Sequence, residues 1–126
     1  MKKPISPHLS IYKPQITSVF SILHRMTGVY MFVFFILLTL IMFMCSRSNS
    51  LLSYSAIRDV AVLNYMLCFG VSSFIFCLSY HVCTGIRYLF WSCGIGVDIN
   101  SAKLSAIAIA ISTVVISLIS IAMFLM

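Results

Sequence analysis

Three long apolar stretches that carry almost no charge constrain the fold of this chain more than any other feature. They run roughly over residues 21–45, 60–91 and 104–126, and each has the roughly 20 mostly apolar residues that a helix needs to cross a bilayer. Of the 126 residues, 62% are hydrophobic and 8% are charged, whereas a soluble domain carries about 25% charged residues. The sequence therefore predicts an all-α integral membrane protein with three transmembrane helices in a single domain, residues 1–126.

The basic residues predict the direction in which the helices cross the membrane. Three spans place the N-terminal tail, residues 1–20, on the same side as the connection between the second and third spans. That side has most of the basic residues: Lys2, Lys3, Lys13, Arg25, Arg87 and Lys103. The other side has Arg47 and Arg58. Because matrix or cytoplasmic segments carry the excess of Lys and Arg, the N-terminus is predicted on that inner side and the C-terminus outside.

Charge and cysteine content argue against several other classes of protein. The net charge of +6 comes from basic residues scattered beside apolar spans, so lipid is a predicted partner and nucleic acid is not. The five cysteines form no Cys-x-x-Cys pair, whereas iron–sulfur and zinc sites need clustered thiolates. Neither kind of metal site is predicted, and neither is a disulfide framework.

A group of polar residues lies near the inner end of the first span. At 3.6 residues per turn, four of them share one helix face: Ser21, His24, Arg25 and Gly28. The Ser21 hydroxyl and the Arg25 guanidinium are donors of the kind that stabilises negative charge developing on a quinone carbonyl. His24 is suited to relay protons or to contact a haem propionate. The alternative is that Arg25 and His24 simply extend to the lipid headgroups.

The second span contains an ionisable residue deep in the membrane. His81 lies about ten residues before the end of the span, which at 1.5 Å per residue is about 15 Å inside. A neutral imidazole is an axial ligand for haem iron. Cys77 and Gly85, one turn away on either side, leave room for a flat porphyrin, and Arg87 is placed to pair with a propionate. The alternative is a histidine that hydrogen-bonds across helices as structural glue.

A six-coordinate haem needs two axial ligands, and the spans contain one deeply placed histidine. The simplest hypothesis is that a partner subunit donates the second ligand. The competing hypothesis is an intrachain pair, in which His24 and His81 bind the same iron.

Three segments in this order resemble the cytochrome b membrane-anchor subunit of succinate dehydrogenase, respiratory complex II. Residues 4–12 are similar to the tail of the mitochondrial and alphaproteobacterial branch. Residues 21–28 resemble the motif of its first span, and residues 81–88 resemble its His-x-x-x-Gly-Ile-Arg motif. The resemblance covers roughly residues 4–93, and the third span matches only as an apolar helix.

The resemblance implies a haem b shared with a second small anchor subunit, with one axial histidine from each chain. On this chain the ligand is His81, the quinone-site serine and arginine are Ser21 and Arg25, and His24 lies near the propionates. The resemblance also implies ubiquinone as the substrate. Electrons then arrive from a flavoprotein subunit through an iron–sulfur subunit that docks on the inner face.

The chain departs from the family pattern at two positions. Tyr88 stands where the family often has His, and Ser92 where it often has Asp. Both follow the ligand histidine at the inner membrane edge, so they bear on propionate and interface contacts and not on the axial ligand.

The favoured function is thus a redox subunit that helps to reduce ubiquinone and does not itself oxidise succinate. The alternatives are a haem-free structural anchor of the same kind of complex and, from a different class, a small transporter or channel subunit. The absence of repeats and of interrupted spans argues against the transporter. The predicted location is the mitochondrial inner membrane, with a bacterial cytoplasmic membrane as the alternative.

Overall fold

Three long α-helices make up nearly all of the part of the chain that the structure describes. The computed structural model describes residue 11, residues 13–47 and residues 61–125, apart from the side chains of residues 45, 63 and 125. Its helices are α1 (Ile16–Arg47), α2 (Ala61–Ser92) and α3 (Ile99–Leu125). Each contains a segment of 26 to 29 residues that is long and apolar enough to cross a membrane. The predicted all-α fold with three transmembrane helices is confirmed.

Two helices begin earlier than the apolar stretches do. Helix α1 starts at Ile16 instead of near residue 21, two residues after Pro14. Helix α3 starts at Ile99 instead of near residue 104. There the Asp98 carboxylate accepts a hydrogen bond from the Ser101 backbone N–H at 3.1 Å, which satisfies a donor of the first turn. Both helices therefore begin about one turn before the stretches predicted from the sequence.

The buried part of the chain is small and partly polar, in contrast to the core of a soluble domain. Within residues 13–47 and 61–125 few side chains are buried, and they are Tyr80, Ala102, Ala106, Ser79, Thr84, Arg87, Thr113 and Ser117. Small residues on α3 let its backbone approach the other helices closely, as membrane helix interfaces do. Large apolar side chains point outward, and Phe69 is 77% exposed. Such a surface suits lipid or another membrane subunit.

The connection between α2 and α3 is a short turn with two glycines in the left-handed region. Gly94 and Gly96 have φ angles of 75° and 73°, which side chains rarely adopt. The Trp91 indole N–H donates to the Gly96 carbonyl at 3.1 Å and so holds the turn against α2. This turn brings the start of α3 to the same end of the molecule as the start of α1.

Candidate functional site

The two histidines of the described helices lie face to face. His24 on α1 and His81 on α2 have ring centroids 3.9 Å apart and planes inclined by 16°. Both side chains are half-buried. The sequence placed these residues in separate polar groups, and the structure joins the two groups into one site between α1 and α2.

The hydrogen bonds of His81 determine which of its ring nitrogens is protonated. Its Nδ1 lies 3.1 Å from the His24 backbone carbonyl and 3.2 Å from Thr27 Oγ1. A carbonyl oxygen only accepts, so Nδ1 carries the proton. Thr27 donates its own hydroxyl proton to the same carbonyl at 2.9 Å, which leaves Oγ1 as a second acceptor for Nδ1–H. In the neutral ring the free lone pair is then on Nε2, which has no hydrogen-bond partner within the described residues.

That arrangement has the features of a metal-ligating histidine. Such histidines usually donate the other ring N–H to a backbone carbonyl or a carboxylate, which fixes the tautomer and the ring orientation. Haem iron is bound through a neutral imidazole nitrogen of this kind. The residues present are thus chemically suited to the haem that the sequence predicted.

His24 has an equivalent contact with the opposite helix. Its Nδ1 lies 2.6 Å from the hydroxyl of Thr84, which is 1% exposed. Thr84 in turn donates to the backbone carbonyl of Tyr80 at 2.7 Å. Each histidine therefore hydrogen-bonds to a threonine of the other helix.

Glycines let the two rings approach the opposite backbone. A Cβ atom added at Gly28 would lie 3.0 Å from His81 Cε1, which is too close for an unstrained contact. A Cβ added at Gly85 would lie 3.8 Å from His24 Cε1, an ordinary van der Waals distance. The ring of His81 is the more tightly seated of the two.

The threonines and glycines belong to a short repeated motif that sequence reasoning missed. Residues 24–28 and residues 81–85 both read His-x-x-Thr-Gly. In a helix, positions three and four after a histidine lie on its own face, so the repeat was the available signal. The sequence analysis had placed Gly28 and Gly85 near the histidines, but it assigned no role to Thr27 or Thr84.

The competing hypothesis from the sequence, an intrachain axial pair of His24 and His81, does not suit this geometry. Metal–imidazole bonds are about 2 Å long and lie in the plane of each ring, so two axial imidazoles point their nitrogens at the iron from opposite sides. Parallel rings 3.9 Å apart leave no space for a porphyrin between them. The arrangement is compatible with the other hypothesis, a second ligand from a partner subunit.

The predicted quinone-binding residues lie beside the histidine pair and face outward. Ser21 is half-buried and Arg25 is exposed. Neither side chain makes a hydrogen bond within the described residues. A groove of about 780 Å³ lies near them, between the starts of α1 and α3; it is lined by Thr17 and Lys103 among others, but not by Ser21 or Arg25.

Arg87 lies inside the bundle, where it contacts all three helices. It is 5% exposed and donates to the Ala102 carbonyl of α3 at 2.8 Å. Its guanidinium carbon lies 4.1 Å from the centroid of the Trp91 ring and 5.7 Å from that of Phe20 on α1. The Tyr80 hydroxyl also reaches α1 by donating to the Phe20 carbonyl at 3.1 Å. The propionate contact proposed for Arg87 from the sequence stays a prediction.

Comparison with known proteins identifies the family. Residues 1–120 match the family described as succinate dehydrogenase/fumarate reductase transmembrane subunit. The chain belongs to this family. The resemblance found in the sequence is therefore confirmed, and it extends through most of the third helix.

Relatives of this chain within the succinate dehydrogenase/fumarate reductase family come from bacteria and from eukaryotes. It is 39% identical to the succinate dehydrogenase cytochrome b556 subunit of Rickettsia bellii over 117 residues, which are 93% of this chain and 89% of the relative. It is 31% identical to the cytochrome b560 subunit of Marchantia polymorpha over 125 residues, 96% of this chain and 90% of the relative. A multi-pass location in a mitochondrial inner or bacterial cytoplasmic membrane agrees with these relatives.

Proposed function

We propose that this chain is the haem- and quinone-binding membrane-anchor subunit of succinate:ubiquinone oxidoreductase. The observation that carries the proposal is the protonated Nδ1 of His81, bonded to the His24 carbonyl, which leaves Nε2 available to a metal. The relatives' names, succinate dehydrogenase cytochrome b556 and b560 subunit, support it.

His81 is the proposed axial ligand of haem b, with the second ligand supplied by another small membrane subunit. Haem b, when bound, supplies a one-electron redox centre within the membrane. Gly85 keeps the surface of α2 flat one turn from the ligand. The positively charged side chains of Arg25 and Arg87, together with His24, are the proposed neighbours of the propionates.

Ser21 and Arg25 are the proposed donors to ubiquinone. Reducing a quinone to a quinol adds two electrons and two protons and makes its oxygens more basic. A hydroxyl and a guanidinium that donate hydrogen bonds to those oxygens stabilise the developing negative charge. Because both side chains face outward, the remaining walls of the site would come from partner subunits.

The proposed partners follow from this placement. The N-terminus and the α2–α3 turn are proposed to lie on the matrix or cytoplasmic side, where the excess of Lys and Arg belongs. The iron–sulfur subunit would dock on that face and pass electrons from the flavoprotein subunit to the quinone near Ser21. The chain itself oxidises no succinate.

The haem assignment is tested with a pyridine haemochrome assay on the purified complex. We expect His81→Ala to remove the b-type haem while the soluble subunits still oxidise succinate with an artificial acceptor. Full b-haem in that variant contradicts the assignment. A native complex without b-type absorption but with normal quinone reductase activity would instead favour the haem-free anchor.

The quinone assignment is tested separately, because it does not depend on the haem. We expect Ser21→Ala and Arg25→Gln to lower quinone reductase activity by about 10²-fold or more, the usual cost of losing a donor to a developing charge. Haem content and succinate oxidation with an artificial acceptor serve as controls. Unchanged quinone reduction in both variants would exclude these residues as donors.

A further inference from the structure

The two His-x-x-Thr-Gly segments are arranged almost reciprocally across the α1–α2 interface. The imidazole of each segment contacts the threonine of the other, with Nδ1–Oγ1 distances of 2.6 Å and 3.2 Å. The same imidazole lies beside the glycine of the other segment. A five-residue pattern that occurs twice in one chain thus forms a paired unit, which we call the histidine–threonine clamp.

The reciprocity is incomplete in one respect that bears on chemistry. The proton on His81 Nδ1 is shared between Thr27 Oγ1 and the His24 carbonyl, and the carbonyl leaves no choice of tautomer. His24 Nδ1 contacts only the Thr84 hydroxyl, which donates its own proton to the Tyr80 carbonyl and so accepts from Nδ1–H. His81 Nδ1–H therefore has two acceptors, one of them a backbone carbonyl, whereas His24 Nδ1–H has one.

We propose that the histidine–threonine clamp is a positioning device. The His24 carbonyl sets the tautomer of His81, Thr27 fixes the orientation of the His81 ring, and Thr84 holds the His24 ring against it. This inference rests on the proposed function, because it takes His81 as the haem ligand. Thr27 acts through His81 and is a positioning residue, not a ligand.

The physical consequence is an effect on the electronic properties of the ligand. A hydrogen bond accepted from Nδ1–H makes the imidazole more basic, and an electron-rich ligand favours ferric over ferrous iron. Losing the Thr27 contact should weaken haem binding and raise the haem midpoint potential. Losing the Thr84 contact should loosen the packing of α1 on α2 and leave the potential unchanged.

The test compares Thr27→Val with Thr84→Val in the assembled complex, because each removes one hydroxyl that contacts an imidazole. We expect Thr27→Val to weaken haem retention by about 10-fold, the lower end of the usual effect of removing the outer partner of a ligating histidine, because the His24 carbonyl still accepts from Nδ1–H. Its haem potential should rise, whereas Thr84→Val should shorten the thermal half-life without shifting the potential. Thr27→Ser keeps the hydroxyl and should restore both haem retention and potential.

The possible outcomes separate this inference from the proposed function. Native haem retention and potential in Thr27→Val, or equal shifts in the two valine variants, would overturn the clamp. Full haem in His81→Ala would overturn the ligand assignment itself. If Thr27→Val does not assemble, Thr27→Ala and Thr84→Ala give the same comparison without introducing a methyl group in place of the hydroxyl.

Discussion

The two His-x-x-Thr-Gly segments have the same pattern but different surroundings. In α1 the arginine that follows the histidine, Arg25, is exposed. In α2 the arginine two residues after the glycine, Arg87, is 5% exposed and contacts side chains or backbone of all three helices. Helix α2 packs extensively against both α1 and α3, whereas α1 contacts α3 less, so the same pattern is enclosed in one helix and open in the other. The position of each segment in the bundle, and not its motif, therefore determines whether its arginine is buried or exposed.

The glycines offer the strongest way to break the near-symmetry of the two segments. Alanine stabilises a helix by about 1 kcal/mol relative to glycine, but a Cβ at Gly28 would lie 3.0 Å from His81 Cε1. We expect Gly28→Ala to displace the His81 ring and to cost about 1–3 kcal/mol through overpacking. Haem content and the optical spectrum of the purified complex report that displacement.

Gly85→Ala is the matched control for the Gly28 variant. Its Cβ would lie 3.8 Å from His24 Cε1, an ordinary van der Waals distance. We therefore expect no loss of stability from packing and a small gain from the higher helix propensity of alanine. Because Gly85 is itself proposed to lie beside the haem, the two variants are compared by thermal half-life. Equal shortening in both would mean that both rings are seated alike, contrary to the structure.

The two arginines allow a second comparison between the segment of α2, which is enclosed by the bundle, and the segment of α1, which is exposed. Lysine keeps the charge but loses the planar stacking and the fork of donors that Arg87 uses toward Trp91 and Ala102. We expect Arg87→Lys to lower stability by about 2 kcal/mol, the scale of a desolvated cation–π contact and a charged hydrogen bond. The half-life of the assembled complex at raised temperature measures this.

Arg25→Lys should leave that half-life unchanged, because the Arg25 side chain is exposed. If the Arg87→Lys complex is as stable as the native complex, the Arg87 contacts do not stabilise the packing of the helices. Only the positive charge, which lysine keeps, would then matter at this position, as expected for the predicted propionate contact. Shortened half-lives in both variants would mean that Arg25 and its segment of α1 are also buried, against another subunit of the assembled complex.

The smallest expected effect concerns the starts of α1 and α3, which lie at the same end of the bundle as the two arginines. Helix α1 has no acidic residue in its first turn, whereas α3 is preceded by Asp98. The hydrogen bond from the Ser101 backbone N–H lowers the pKa of the Asp98 carboxyl. Its stabilising contribution is therefore fully present above the unfolded pKa and is lost as the pH falls through the lowered folded pKa.

We expect Asp98→Ala to shorten the thermal half-life slightly at neutral pH and to make no difference in acid, where the native carboxyl is protonated. Asp98→Asn should lie between the two at neutral pH, because an amide oxygen still accepts the Ser101 N–H. A difference that persists in acid would assign Asp98 a role other than capping.

The sequence by itself determined the number of helices, their membrane-spanning character and the family. The helices follow from local composition, because about 20 apolar residues in a row favour a spanning helix whatever the rest of the chain does. The family follows from short motifs that can be read directly along the sequence. It also selected His81 as a candidate ligand, because an ionisable residue in hydrocarbon is costly unless it has a function. It missed the early helix starts, since capping depends on single polar residues such as Asp98.

Only the tertiary structure decided which nitrogen of His81 is free, and that Arg87 points into the bundle. Both depend on contacts between residues far apart in the chain: His81 with the carbonyl of His24, and Arg87 with the carbonyl of Ala102. The pattern along one helix places a side chain on a face, but it does not say which atom of another helix lies opposite. That information arises only when the helices pack at a defined rotation and height.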